Sequence, residues 1–200
     1  MNPLKSVSGT IIAGIVLAVL IGVASMGVNF NTGSLIVWIH VLAGITWIGL
    51  LYYFNFVQVP ALAAAAADAG GPGGAGITKY VAPRALLWFR WGAVVTWVSG
   101  AAYLLHLGRL HHALALGTLE GSIPGDFIIG VGAWLGTIML FNVWVLIWPN
   151  QKKVLGIVKA TPEEIAKAKN VALLASRTNT LLSIPMIMSM VGYGHGGFFI

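Results

Sequence analysis

The sequence predicts an all-α integral membrane protein, a polytopic bundle of about five transmembrane helices. Of its 200 residues, 58% are hydrophobic and 8% are charged, whereas soluble domains carry about 25% charged residues. Apolar stretches recur at the length of about 20 residues that a helix needs to cross a bilayer. The chain has no cysteine, which excludes disulfides, thiolate metal sites and covalent c-type haem attachment within it.

We expect one transmembrane domain over residues 1–200, with an interfacial helix at residues 162–177 that continues directly into the last span. Thr161 is the expected N-cap, Pro162 fits the first helical position, Glu164 completes a capping box, and Pro185 is expected to kink the span. The glycine-rich residues 70–74 are a flexible connector, and residues 148–153 are expected to end the fourth span as an interfacial anchor. The predicted spans are residues 9–28, 33–58, 84–107, 126–148 and 178–193.

The orientation follows from the distribution of basic residues, because Lys and Arg concentrate in cytoplasmic loops. One side of the predicted topology carries only Arg109. The other side carries Lys5, Lys79, Arg84, Lys152, Lys153, Lys159, Lys167, Lys169 and Arg177. This bias predicts a cytoplasmic N-terminus and a periplasmic C-terminus in a bacterial inner membrane. It also explains the net charge of +6 without nucleic-acid binding. The first span resembles a signal peptide, but its apolar run is longer than usual and we expect it to be retained.

His40 lies inside an apolar run, and an ionisable residue at that depth is a candidate functional residue. A neutral imidazole in a membrane suits a ligand to haem iron or another metal. At 100° per residue, His40 shares one helical stripe with Gly44 and Trp47, which should face the bundle interior. Gly44 leaves room for a flat macrocycle or a closely packed helix. The alternative is a structural histidine that hydrogen-bonds a neighbouring helix.

His40 is predicted in the outer leaflet, and two further histidines are predicted at that leaflet. His106 lies near the end of the third span, and His195 follows the fifth. His195 is either a second ligand or a solvated loop residue, and His106 is a reserve ligand. The adjacent His111 and His112 are better explained as a solvated interfacial pair than as a metal site, since neighbouring helical residues do not share a face.

A polar group is predicted nearer the opposite leaflet, where Arg90, Asn142 and Asn179 fall at similar depth. Two interpretations remain open: a structural hydrogen-bond network, or an anionic site for haem propionates or a small acidic substrate. Acidic residues are scarce inside the predicted spans, which offer no carboxylate pair, nucleophile triad or phosphate loop, so hydrolytic chemistry has no support.

Three blocks of the sequence form a recognisable pattern. They are Trp38-x-His40-x6-Trp47-x-Gly49-x2-Tyr52-Tyr53-x-Asn55-x2-Gln58, then Trp148-Pro149-Asn150-Gln151-Lys152-Lys153, then Ser176-Arg177-x-Asn179-x3-Ser183-x-Pro185-x9-His195. In this order the blocks resemble the N-terminal membrane domain of bacterial membrane-bound urate oxidase. A weaker similarity, limited to a His-x6-Trp block, links the chain to small four-helix haem-binding membrane proteins such as a bacterial protoporphyrinogen oxidase and copper-resistance proteins.

The resemblance implies a helical membrane domain that passes electrons outward to a cytochrome c, with His40 and His195 at the positions of family histidines. Two departures from the family are expected: no C-terminal cytochrome c domain follows the membrane domain, and the predicted spans are fewer. We therefore expect a b-type haem electron-transfer protein whose redox partner is a periplasmic cytochrome c or a partner membrane subunit. The alternatives are a non-catalytic accessory subunit of a larger complex, and a urate or purine oxidase component.

Overall fold

The computed structural model describes residues 2–26 and 31–196, and the chain divides into two compact units, residues 1–32 and 33–200. The described residues form helices and turns without a strand, which confirms the all-α prediction. The helices are α1 (Val7–Met26), α2 (Thr32–Ala67), α3 (Ala82–His106), α4 (Leu110–Leu114), α5 (Pro124–Val154) and α6 (Pro162–His195), and a 3₁₀ turn, Pro3–Lys5, precedes α1.

The described residues of the first unit include α1 and the short turn before it. The Asn2 side chain accepts a hydrogen bond from the Leu4 N–H at 2.9 Å, which caps the turn. Residues Val7–Ser25 are long and apolar enough to cross a membrane. Residue 28, the predicted end of this span, lies outside the described residues.

Three π-helical segments occur in the second unit, and each ends two residues before a proline. They are Phe54–Gln58 before Pro60, Ile77–Val81 before Pro83, and Asn142–Ile147 before Pro149. A proline has no N–H to donate and its ring clashes with the carbonyl four residues earlier. A wider turn before the proline relieves both problems, so α2 and α5 continue past their prolines.

The long helices of the second unit form an antiparallel ring in the order α2, α3, α5, α6. Hydrogen bonds join each neighbouring pair, including α6 back to α2: His40 with the Thr96 carbonyl, Trp97 with Thr137, Asn142 with Asn179, and Tyr52 with Ser183. The buried centre contains Trp47, Leu51, Phe89, Met139 and Val143. We call the end of the ring that carries His40, His106 and His195 the histidine end, and the opposite end, around Gln58 and Gln151, the cavity end.

Within the described part of the chain, four helical segments are long and apolar enough to cross a membrane: Val7–Ser25, Thr32–Ala67, Pro124–Val154 and Pro162–His195. They are compatible with a membrane protein. Helix α3, which contains the predicted third span, is not one of the four, and it carries Arg84 and Arg90 among its apolar residues. The number of five spans and the orientation of the chain therefore stay predictions, as does the single domain.

Two helices run beyond the predicted spans, whose ends in a membrane stay predictions, and one predicted helix start is confirmed. Helix α5 continues through residues 148–153 to Val154, past Pro149 and the π-helical segment before it. Helix α6 is continuous from Pro162, with the predicted capping box between Thr161 and Glu164. The helix ends at His195, and Gly196, the residue after it, adopts φ 85°, a conformation that favours glycine.

Candidate functional site

The His40 side chain is held against α3 by its Nδ1 atom. Nδ1 lies 2.8 Å from the Thr96 carbonyl oxygen, with the Ser99 hydroxyl 3.4 Å away. A carbonyl oxygen can only accept, so Nδ1 carries the hydrogen, and the lone pair of the neutral imidazole is on Nε2. Histidines that bind metals commonly have this arrangement, in which a carbonyl fixes the tautomer and the direction of the free nitrogen.

Small residues on α3 make this approach of the two helices possible. Gly92, Thr96 and Gly100 recur every four residues on the face that meets α2, a spacing common where membrane helices pack closely. A Cβ atom at Gly100 would lie 2.9 Å from His40 Cε1, and one at Gly92 would lie 3.3 Å from the Trp47 nitrogen. A side chain at Gly100 would push the His40 ring aside, and one at Gly92 would require the Trp47 backbone to shift by a few tenths of an ångström. The absence of a side chain at Gly100 therefore permits the observed position of the His40 ring.

The predicted stripe of His40, Gly44 and Trp47 faces α3. Gly44 was expected to leave room for either a flat macrocycle or a closely packed helix. In the structure it faces helix α3, because a Cβ at Gly44 would lie 3.7 Å from the Thr96 methyl group. Trp47 is 1% exposed, and its indole Nε1 is buried without a hydrogen-bond partner.

His195 is the exposed last residue of α6, and its Nδ1 donates to the Val191 carbonyl at 3.0 Å. It therefore also has its lone pair on Nε2. The Asn55–Ser176 hydrogen bond joins α2 to α6 and marks one common level on the two helices. Along α2, His40 is 15 residues from Asn55, and along α6, His195 is 19 residues from Ser176. At 1.5 Å per residue these are about 22 and about 28 Å, so His195 lies about 6 Å nearer the end of the ring.

The remaining histidines are also at the histidine end. His106 is the exposed last residue of α3, and His112 Nδ1 lies 2.9 Å from the Ser122 hydroxyl. Within residues 2–26 and 31–196, His, Asp and Glu side chains form no group of three or more that could hold a metal ion. The structure thus places the three predicted ligand histidines, His40, His106 and His195, at one end of the ring without joining them in one cluster.

Arg90 lies on the indole face of Trp148, with its guanidinium carbon 3.4 Å from the ring centroid and 6.0 Å from that of Trp144. The side chain is buried, and Nε has no hydrogen-bond partner. A cation over a tryptophan face is stabilised by the negative charge of the ring face. Arg90 is therefore directed at tryptophans and not at His40.

The two asparagines predicted beside Arg90 form a buried structural network. Asn142 Nδ2 donates to Asn179 Oδ1 at 2.8 Å, and Asn179 Nδ2 donates to the Met139 carbonyl at 3.0 Å. The sequence left open a structural hydrogen-bond network or an anionic site, and these two asparagines belong to a structural network.

An ion pair that the sequence did not reveal lies at the histidine end. Arg109 Nε donates to Asp126 Oδ1 at 3.0 Å, and Arg109 Nη2 pairs with Oδ2 of the same carboxylate. Asp126 also accepts from the Ile123 N–H at 2.7 Å. Hydrogen bonding to Asp126 raises the pKa of Arg109, against the opposing effect of desolvation. Arg109 is thus a structural residue that ties the loop after α3 to the start of α5.

Sequence reasoning also missed a cavity of 540 Å³ at the cavity end. Asn55 and Gln58 line it, and their side-chain oxygens are buried without hydrogen-bond partners. The available signal was the pair of amides three residues apart at the end of an apolar span, which places both on one helical face.

The fold and the contacts define a class: a helical bundle with membrane-compatible helices and a histidine fixed between two of them. Residues 124–199, which are 76 of the 200, match the family model described as urate oxidase N-terminal. This match confirms the resemblance to the membrane-bound urate oxidase N-terminal domain, and it includes His195 but not His40. Neither the curated proteins nor the solved structures contain a significant match to the chain.

Proposed function

We propose that the protein is a b-type haem electron-transfer protein or subunit of the bacterial inner membrane, which passes electrons near the periplasmic face. The observation that carries this proposal is the His40 imidazole, half-buried between two apolar helices with Nδ1–H donated to the Thr96 carbonyl. A haem iron needs the lone pair of a neutral imidazole, and this hydrogen bond leaves the lone pair on Nε2.

The residues fit the donor chemistry of a haem. His40 and His195 would hold the iron through Nε2, since each has Nδ1–H bonded to a carbonyl, and His106 is the reserve ligand. Thr96 orients the His40 ring, and Gly100 leaves space for it. A haem b supplies reversible one-electron transfer. Arg90 is not part of this site, because its guanidinium lies on Trp148. The redox partner in this proposal is a periplasmic cytochrome c or a partner membrane subunit.

A second function has its own support from the family match at residues 124–199. In that proposal the chain is the membrane component of a urate- or purine-oxidising enzyme, and the same haem accepts the electrons. Urate-dependent reduction of the haem, measured with active partner proteins present, tests it. A haem that dithionite reduces but urate does not would support the carrier and contradict the oxidase.

A reduced-minus-oxidised absorption spectrum of the protein purified with its lipids tests the haem itself. We expect an α-band at roughly 560 nm, lost in His40→Ala and retained in the control His112→Ala, whose imidazole bonds Ser122. Absence of the band in the native protein would favour a non-catalytic accessory subunit. A full band in His40→Ala would show that His40 is only a structural histidine.

A further inference from the structure

Two charged side chains are buried in the described part of the chain, and only one of them has a hydrogen-bond partner. Asp126 accepts from Arg109. Arg90 is 9% exposed, and its N–H groups have no acceptor among the described residues: Nε is buried without a partner, while the two Nη atoms are unpaired but keep some accessible surface. A buried cation is costly unless it is paired. The accessible Nη donors are therefore suited to an anion that the described residues do not supply.

The indole of Trp148 fixes the plane in which these donors lie. The guanidinium carbon of Arg90 is 3.4 Å from the centroid of the Trp148 ring. At that distance the two planes must stack, because a tilted guanidinium would drive an Nη atom into the ring. Stacking places the charge on the negative ring face but uses none of the N–H groups, which lie in the guanidinium plane. The Nη donors therefore point parallel to the indole, in the planar fork that matches two oxygens of one anion.

A second cation shares the same ring. Lys152, one turn after Trp148 on α5, has its Nζ atom 5.9 Å from the Trp148 centroid. The ion pair found in the described residues is that of Arg109 with Asp126, so no described carboxylate pairs with Arg90 or Lys152. Two positive charges against one indole repel each other, and an anion bound beside them removes that repulsion.

The surface around Arg90 is apolar, aromatic and exposed. Trp91, the next residue of α3, is 53% exposed and packs edge-on against Trp144, with 5.7 Å between the ring centroids. Leu87, one turn before Arg90, and Phe141, one turn before Trp144, are also exposed. Exposed tryptophans beside basic residues are typical of the interface of a bilayer, where the lipid phosphates lie.

We propose that Arg90 and Lys152 bind a phosphate group where α3 meets α5. Two phosphate oxygens accept from the Nη groups of Arg90, and Lys152 supplies the second positive charge. The exposed surface of Trp91 favours a phospholipid as the source, because acyl chains can lie on it, and inorganic phosphate is the other source. A choline headgroup carries a positive charge that the two cations repel, so the site should prefer an anionic lipid. Gly100, which lies against His40, is about 15 Å further along α3, and the phosphate site does not depend on a haem.

Two titrations of the full-length protein in detergent distinguish the two sources. In native mass spectrometry we expect the first bound phosphatidylglycerol to bind about tenfold more tightly than phosphatidylcholine. Calorimetric titration with inorganic phosphate tests the other source. A preference for phosphatidylglycerol without binding of inorganic phosphate assigns the site to the lipid, and binding of inorganic phosphate that Arg90→Met abolishes assigns it to free phosphate. Equal affinity for the two lipids, together with no binding of inorganic phosphate, would overturn the proposal.

Three variants connect the binding to the named residues, with circular dichroism to verify that each is folded. Arg90→Met removes the fork and should weaken phosphatidylglycerol binding by about tenfold. Lys152→Met removes one charge near the half-buried indole and should weaken it by about fivefold. The matched control is Lys153→Met, which removes the same charge from the next residue and should leave the affinity unchanged.

The comparison of the two lysine variants keeps the proposal falsifiable even where Arg90→Met does not fold. Equal effects of Lys152→Met and Lys153→Met would show that general surface charge attracts the lipid, and would overturn the site. An unchanged affinity in a folded Arg90→Met variant would overturn it as well.

Discussion

At the histidine end of the ring, the Thr96 carbonyl accepts the His40 N–H and the Asp126 carboxylate accepts from Arg109. At the cavity end, by contrast, buried polar atoms lack partners. Four of the five unpartnered buried side-chain atoms found in the described residues are there, and the fifth, Trp47 Nε1, is on the central part of α2. The four are Asn55 Oδ1, Gln58 Oε1, Arg90 Nε and Trp144 Nε1.

The two ends differ in how their buried polar groups are satisfied. Burying a polar group without a partner lowers stability, so a protein retains such groups mainly where they have another use. The histidine end holds the helices together through paired polar groups and glycines in close contact. The cavity end leaves space and unpaired acceptors. Substitutions at the histidine end should therefore lower the free energy of unfolding, and removal of an unpaired acceptor at the cavity end should not.

Gly130→Ala should have the largest effect on stability. Gly130 of α5 faces α4, and an added Cβ would collide with the Ala113 carbonyl oxygen, a backbone atom that cannot move without displacing α4. Overpacking of this kind costs about 3 kcal/mol, which should appear as a lower free energy of unfolding in detergent.

The control for that measurement is Gly136→Ala, on the same helix. A Cβ at Gly136 meets no atom within 4 Å, and alanine is favoured over glycine inside a helix by about 0.5–1 kcal/mol. The control should be as stable as the native protein or slightly more stable. Equal losses in the two variants would show that the α4 contact does not matter.

The sequence was sufficient for the helices and for the inward direction of His40, because apolar length and helical phase depend on local order along the chain. It could not predict that α5 continues past Pro149, since the π-helical segment that permits this is set by packing around the proline. It also left open which helix His40 would meet. Nothing in the local sequence marks Thr96 and Gly100 as contacts of His40, because these contacts arise only when α2 packs against α3.

The cavity was beyond the reach of the sequence for a different reason. Helical phase places Asn55 and Gln58 on or beside the inward-facing stripe of His40, and both belong to the family motif. Whether their amides have hydrogen-bond partners depends on side chains from α6, more than 100 residues away in the sequence. Asn55 Nδ2 donates to the Ser176 hydroxyl, but neither Asn55 Oδ1 nor Gln58 Oε1 accepts a hydrogen bond. Unsatisfied groups become visible only when all the neighbours are in place.

Gly100→Ala tests the connection between packing and the proposed haem site at the histidine end. The added Cβ would lie 2.9 Å from His40 Cε1, so the ring must move and weaken its bond to Thr96. We expect a loss of about 1–2 kcal/mol in the free energy of unfolding together with a smaller or shifted haem α-band. Gly49→Ala on α2, where a Cβ meets no atom within 4 Å, is the control. A stable variant with an unchanged spectrum would mean that the His40 position does not depend on Gly100.

Gln58→Met should have the smallest effect on stability, although Gln58 is among the most buried polar residues of the cavity end. Replacing a buried amide that is hydrogen-bonded removes the bond and leaves its partner unsatisfied, which typically lowers the free energy of unfolding by about 1–3 kcal/mol. The Gln58 oxygen has no partner to lose, so methionine should leave the free energy of unfolding unchanged within about 0.5 kcal/mol or raise it. Asn179→Leu provides the paired comparison, because it leaves the Asn142 amide without its acceptor and should cost about 2 kcal/mol. Equal losses in the two variants would show that Gln58 contributes to folding as Asn179 does, and the contrast between the two ends would then lose its basis.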